Sequence, residues 1–429
     1  MARIALSRRQ FNTILSSSLV GASLGSRGAF ASEKQLSFPV RTITRGPKYH
    51  WFGYYDKLEF DPTEKLVLSN QVDFEHRSPT ADDVLKVGMI DTAHNDQWVE
   101  LGQSRSWGWQ QGCMLQWIPG SKSEVIWNDR EGDHFVAHIL DVQSGKKRTI
   151  DRAIYTLSPD GKYGYATDFA RIQNHRPGYG YPGVKEPYRD QKAPEELGIW
   201  RIDLATGESK LIFSIAQAAA VPCPDGDLST KWHWFNHLLC NTDGTRLIFL
   251  SRWRDHRVGD PDYQYKQPFY TRVFTIGTDG SDLHLLENSG HFSHFIWRDP
   301  SHVAAWSTHN GGKNYWLYTD QTDQAEPMLP DVMTWDAHLT YLPWQFPNWI
   351  LNDSYPRESE RFQIPHLVHL PTGRKVELGR FPSPKEYTGE WRCDTHPRSS
   401  PSGRLVAIDS PHTGGRQVHL IDLSALMDA

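Results

Sequence analysis

The chain has 429 residues, a formal net charge of −5 and 23% charged residues. That balance gives no reason to expect nucleic acid or an anionic membrane surface as a partner, and no later run reaches the roughly 18 apolar residues that a membrane-spanning helix needs. Aromatic residues make up 12%, with 17 Trp and 17 Tyr, a content that suits a sheet-rich core and also suits stacking against sugar rings.

The first element is a targeting segment. Arg8-Arg9-Gln10-Phe11 precedes the mildly apolar stretch TILSSSLVGASLG, and Ala29-Phe30-Ala31 offers small residues for cleavage. A basic start, a weak apolar stretch and an A-x-A site describe an export signal of the twin-arginine type over residues 1–31. The mature protein is then expected to begin near Ser32 as a single domain over 32–429, working as a monomer in a periplasm or outside the cell. Cys113, Cys223, Cys240 and Cys393 show no CxxC spacing, and mostly buried thiols are expected.

From residue 59 onward one unit recurs. A strand runs into a Pro/Asp/Gly turn and a second strand leaves it, in EFDPTEKLVLS (59–69), QWIPGSKSEVIWN (116–128), TLSPDGKYGYA (156–166) and LCNTDGTRLIFL (239–250). The unit continues in IWRDPSHVAAW (296–306), YLPWQFPNWIL (341–351) and SSPSGRLVAID (399–409). A second strand–turn signal alternates with it, in MIDTAHND (89–96), ILDVQSGK (139–146), RIDLATGE (201–208), FTIGTDGS (274–281), WLYTDQTD (316–323), VHLPTGRK (368–375) and HLIDLSAL (419–426). Two hairpins per repeat make a four-stranded antiparallel blade, and seven blades close radially into an all-β propeller. SFPVRTIT (37–44) is expected to add a strand that closes the ring. The Pro/Gly/Tyr-rich stretch HRPGYGYPGVKEPYRDQKAPEE (175–196) is expected to cover one face.

Aligning the repeats on their turns exposes a register. His237 lies four residues before Asn241, the first residue of its turn, and the same count gives His294, His338 and His396 in the next three blades. Lys57, Met114 and Ile154 hold that position in the first three. The strand before the turn is expected to be the inner one, so these side chains converge on the channel. There they serve either as interblade hydrogen-bonding caps or as a metal or catalytic cluster. Other polar residues expected at the same mouth are His50, Trp109, Gln110, Gln111, Tyr155, His134, Arg171, His175 and the Arg252/Arg254/Arg257 group. Arg, Tyr and His together favour an anionic substrate.

A uronate polymer fits that set. Eliminative cleavage removes the proton α to a carboxylate and expels the 4-linked oxygen, which calls for cationic stabilisation, a base and an acid. A glycoside hydrolase would instead present a carboxylate pair, and none is evident at the channel positions. No GxSxG, P-loop or dinucleotide fingerprint is present.

The motifs YHWFGYYDK, WGWQQG, HWFNH, SHFIWRD, RCDTHPRSSPSG and DSPHTGGRQVHLIDLS resemble those of the seven-bladed propeller polysaccharide lyases, namely the oligogalacturonate lyases and, more closely, the ulvan lyases. The resemblance spans residues 46–425. It implies Tyr155 as base and acid, Arg171 as neutraliser of the uronate, and His134 as a supporting donor. His50, Trp109, Gln110, Gln111 and Arg252 are then expected to contact substrate. A divalent metal ion (Zn, Mn or Ca) is implied near His175 and His237. The oligogalacturonate branch instead implies His237 as the base, with the metal at His294 and His338.

Overall fold

The computed structural model describes residues 37–224, 226–257, 260, 268–343 and 345–427. The export signal expected over 1–31 lies outside the described residues. Seven four-stranded antiparallel sheets form the blades of a β-propeller.

Blade one is built from Tyr49–Trp51, Leu66–Val72, Leu85–Asp91 and Gln97–Ser104. Blade two uses Gln116–Trp117, Glu124–Glu131, His134–Asp141 and Lys147–Ile150, and blade three Thr156–Leu157, Tyr163–Ala166, Gly198–Asp203 and Ser209–Ser214. Blade four comprises Trp232–Cys240, Arg246–Arg254, Tyr270–Gly277 and His284–Gly290; blade five follows with Phe292–Asp299, His302–His309, Gly312–Thr319 and Ala325–Pro327. Blade six has Thr340–Tyr341, Trp349–Asn352, His366–His369 and Arg374–Glu377. Blade seven has Arg398–Ser399, Leu405–Ser410 and Gln417–Asp422, and takes Val40–Thr42 as its outer strand, with Val40 opposite Ile421 and Thr42 opposite His419. HLIDLSAL accordingly departs from the repeat. Its strand is followed by the short helix Ser424–Met427, because the fourth place in the sheet is taken from the N-terminal side.

The turns hold for the reason their sequences suggest. Asp141 Oδ1 accepts from the amides of Gln143 and Ser144, and Asp203 Oδ1 accepts from those of Ala205 and Thr206. These are Asp-initiated turns that satisfy the backbone at the blade edge. Between blades the core is apolar and includes Trp51, Trp107, Trp117 and Trp127, all nearly inaccessible. Cys113, Cys240 and Cys393 are buried thiols.

The inner strands are irregular where the register histidines fall. In blades two, three, six and seven the inner strand is only two residues long and begins two residues after the register position. In blades four and five the pairing breaks between Asn236 and Leu239 and between Phe292 and Phe295. Met114, His237 and His396 have φ of 55°, 53° and 38°, the left-handed region that non-glycine residues rarely occupy. Such bulges and left-handed residues re-aim side chains, and they gather beside functional sites. No described helix is long and apolar enough to cross a membrane.

Candidate functional site

Two insertions and the segment before blade seven bring side chains to one mouth of the channel. The first, between the second and third strands of blade three, contains the helix Phe169–His175 and the GYG loop. Asp168 caps this helix by accepting from the Arg171 amide. A Cβ on Gly180 would stand 2.4 Å from Phe169 O and one on Gly108 2.7 Å from Gly178 O. The loop thus packs backbone to backbone against the helix and against the WGWQQG segment, which glycine alone permits. It delivers Arg176 and Tyr179. A second insertion, in blade six, supplies Tyr355, and the segment before blade seven supplies Arg392.

Together with Tyr54, His237, Arg252, Ser293, His294 and Asp336, these residues line a cavity of 320 Å³. The balance of charge in its wall is cationic. Arg176, Arg252 and Arg392 face a single carboxylate, Asp336, and that carboxylate is held 2.8 Å from His294 Nδ1. Arg176 Nη1 is buried with no hydrogen-bond partner, a state that is costly for a guanidinium. Arg252 is anchored through Nε to Thr271 Oγ1 and through Nη1 to Asn236 Oδ1, at 3.2 and 3.0 Å. Arg392 bonds Asp394 through Nε at 2.6 Å and donates through Nη2 to the Tyr179 hydroxyl at 2.9 Å.

Three of the four register histidines meet. His294 and His338 have ring centroids 4.4 Å apart, and His338 and His396 4.2 Å apart. The Tyr355 hydroxyl lies 3.4 and 3.3 Å from the Nε2 atoms of His294 and His338. His237 stands on the other side of the Tyr54 ring, stacked on it at 5.1 Å with an interplanar angle of 11°. Behind His237 its Nδ1 is 3.2 Å from the Tyr155 hydroxyl and 3.4 Å from Gln111 Nε2, while Gln111 Nε2 also donates to Tyr155 at 2.9 Å.

Electrostatics separates these groups. Burial, reinforced by Arg252 and Arg176, pushes His237 well below the ordinary histidine value, so its imidazole is neutral. Burial pushes the Tyr155 hydroxyl above its ordinary value. Tyr179 goes the other way. Burial would raise it, but the Arg392 and Arg176 guanidiniums more than offset this and bring it down to about 8.

Several sequence expectations change place. Arg171 is not at the cavity: its guanidinium pairs with buried Glu186 and donates to the carbonyls of His233, Gln191 and Lys192, so no donor is spare for a substrate. It locks the blade-three insertion instead. His134 is half-exposed and 2.6 Å from Asp151, outside the cavity wall. His50 is buried against Gln417 and Gln71, and burial lowers it to about 4. Trp109 is core, packed on Trp51 and Trp107 with its Nε1 donating to Arg77 O. Gln110 donates to Glu390 O and thereby braces the Arg392 segment. His175 is stacked on Trp234 at 5.2 Å, away from the other histidines. Arg176, Tyr179 and Tyr355 sit in insertions with no repeat register, where the GYG spacing is the one local signal; Arg392 opens the motif RCDTHPRSSPSG, which by itself assigns it no role.

Loss of Arg171 should therefore appear as loss of stability. Arg171→Met strands buried Glu186, and a stability loss of about 3–5 kcal/mol is expected in denaturant titrations. A variant as stable as the parent but inactive would return Arg171 to the chemistry.

Among the described residues, one group of side chains has the geometry for a metal ion: His338, Asp394 and His396, with one ligand atom each within 4.8 Å of one another. The fit is chemical as well as geometric. His396 Nε2 and Asp394 Oδ1 are buried without partners, and Asp353 holds His338 through Nδ1 at 3.1 Å, the carboxylate–histidine support usual behind a metal ligand. Of the histidines expected at a metal, only His338 belongs to this group. His294 is its neighbour, whereas His175 and His237 lie elsewhere.

The fold is that of a seven-bladed β-propeller with a cationic, histidine-lined mouth. It is shared with two solved structures: an oligogalacturonate lyase in complex with manganese (TM-score 0.61, 13% identity, 92% of this chain and 99% of that one) and an oligogalacturonate lyase from Vibrio parahaemolyticus (TM-score 0.58, 13% identity, 90% and 97%). No family model and no curated protein matches the chain.

Proposed function

We propose that this protein is a polysaccharide lyase that cleaves a uronate-containing saccharide by β-elimination, with His237 as the base. The observation that carries the reading is the cavity wall, in which Arg176, Arg252 and Arg392 surround a neutral histidine and a phenol of lowered pKa. An anionic sugar is what three guanidiniums with one compensated carboxylate would hold. Support also comes from the two solved neighbours, both oligogalacturonate lyases. They favour the oligogalacturonate branch of the resemblance over the ulvan branch.

In this reading the uronate carboxylate binds among the three guanidiniums, which stabilise the charge that builds on it as the α proton leaves. His237 takes that proton on Nε2, which is unprotonated when Nδ1–H donates to the Tyr155 hydroxyl oxygen 3.2 Å away, and it later releases the proton to solvent. The electron pair forms the C4–C5 double bond and the C4–O4 bond breaks. Tyr179, opposite His237 at 5.6 Å between ring centroids, gives its proton to the departing oxygen and is reprotonated from solvent. Tyr155 is a positioning residue: its phenol, kept protonated by burial, donates to Gln111 Oε1 and accepts from His237 Nδ1–H, which fixes the tautomer with Nε2 unprotonated. A divalent metal at His338, Asp394 and His396 would add positive charge beside the carboxylate site. The enzyme would act after export by the twin-arginine route, in a periplasm or outside the cell.

The test is a panel of uronans, ulvan and oligogalacturonates included, read by the ultraviolet absorbance of the unsaturated product. Turnover of at least one is expected, and no product from any would sink the reading. His396→Ala is expected to abolish tight manganese or zinc binding measured by calorimetry, and equal binding by parent and variant would move the metal elsewhere.

A further inference from the structure

Beside the central cavity lies a larger one, of 770 Å³, in blade six. The two share Asp336 and Tyr355. Each shared residue has a neighbour in the larger cavity: Trp335 precedes Asp336, and Arg357 follows Tyr355 by two positions. Trp335 is 66% exposed, more than any other large hydrophobic side chain among the described residues. The Arg357 guanidinium lies 5.2 Å from its ring centroid.

A single exposed indole is ordinary by itself; what marks Trp335 is its place at the rim of a cavity that shares two residues with the central one. The charges around it differ from those of the central cavity: Asp336, Asp353, Glu358, Glu360 and Glu377 outnumber Arg357, Lys375 and Arg380. Asp336 and Asp353 are held by His294 and His338, and Glu377 pairs with Arg380. Glu358, Glu360, Arg357 and Lys375 complete the charged part of the wall. Such a wall has no cationic excess with which to select an anion, and it offers an aromatic face with polar groups at its edge. That combination suits a pyranose ring, which presents an apolar C–H face and a polar rim.

Resting on the lyase reading, we propose that Trp335 is the platform of a second sugar subsite, which takes the unit next to the uronate in the central cavity and reads it by its C–H face rather than by its charge. The protein then binds a run of sugar units along blade six rather than a single terminal uronate.

The experiment measures binding by calorimetry in the His237→Asn background, where no cleavage intervenes. The probes are digalacturonate and hexagalacturonate, with glucuronate-containing oligomers of matching lengths in parallel. Hexamer binding should weaken about tenfold on Trp335→Ala, with recovery in Trp335→Phe and little change for the dimer. Trp335 is on the surface, so both variants are expected to fold. Hexamer affinity that is unchanged by Trp335→Ala, or no better than dimer affinity in the parent, overturns the subsite, as does failure of every oligomer to bind. Length-dependent binding that needs Trp335, alongside no cleavage by the wild-type protein, leaves the subsite standing and rejects the lyase reading.

Discussion

His237→Asn is expected to lower kcat by about 10²–10⁴-fold, the usual contribution of a positioned proton-transfer group, with little change in thermal unfolding. Asparagine is the right replacement, because the φ of 53° at this position is one that asparagine tolerates better than alanine. Any loss can then be assigned to the imidazole rather than to the backbone. The companion Tyr155→Phe keeps the ring and removes only the hydroxyl behind His237, so a smaller loss is expected, with KM nearly unchanged. A Tyr155→Phe variant as inactive as His237→Asn, alongside an active His237→Asn, would reverse the two roles. The pH profile gives an independent check. His237 must be unprotonated to act, so activity is lost as pH falls through its pKa. Burial and the neighbouring guanidiniums put that pKa below the ordinary 6.5, and the acid limb should lie correspondingly low.

Tyr179→Phe is expected to cost a comparable 10²–10⁴-fold in kcat on substrates with a poor leaving group, and it should reshape the alkaline side of the profile. A phenol that donates its proton must be protonated, so activity should fall as pH rises through about 8. In the phenylalanine variant the residual activity should lack that limb. Activity that instead rises through the same range would make the Tyr179 phenolate the base. Arg392→Lys offers a further arm. Lysine keeps the charge but not the fork that reaches both Asp394 and Tyr179, so the alkaline limb should move upward. An unmoved limb would show that Arg392 does not set the acidity of Tyr179.

The architecture was legible because a propeller is written locally and repeatedly. Each turn carries its own Asp, Pro or Gly, each hairpin its own alternation, and seven repetitions leave little freedom. SFPVRTIT was legible as the closing strand, found over Val40–Thr42, whereas HLIDLSAL mimics the second turn signal of the repeat but leads into a helix. The register also held: His294, His338 and His396 pack edge-on in succession, and His237 lies beyond them across Tyr54.

Roles were less legible than positions. Arg171 and Arg176 lie five residues apart in one insertion, the first fully buried and the second partly so. The first meets Glu186 and four backbone carbonyls, whereas the second keeps a buried Nη1 unpaired beside the cavity. No local pattern separates them, because the partners come from residues 186–233 for one and from the opening of the channel for the other. Trp109 was similarly ambiguous, since a tryptophan that stacks on sugars and one that fills a core have the same sequence signature. The exposed indole turned out to be Trp335.

What the sequence determined by itself is the ring of blades and the position of the histidines within it, since both follow from short-range turn chemistry and from counting. What only the tertiary structure decided is which charged and aromatic side chains face the cavity unpaired. That depends on how two insertions and the segment before blade seven fold over the channel, and burial and pairing, rather than residue type, leave one arginine locked and another facing the cavity.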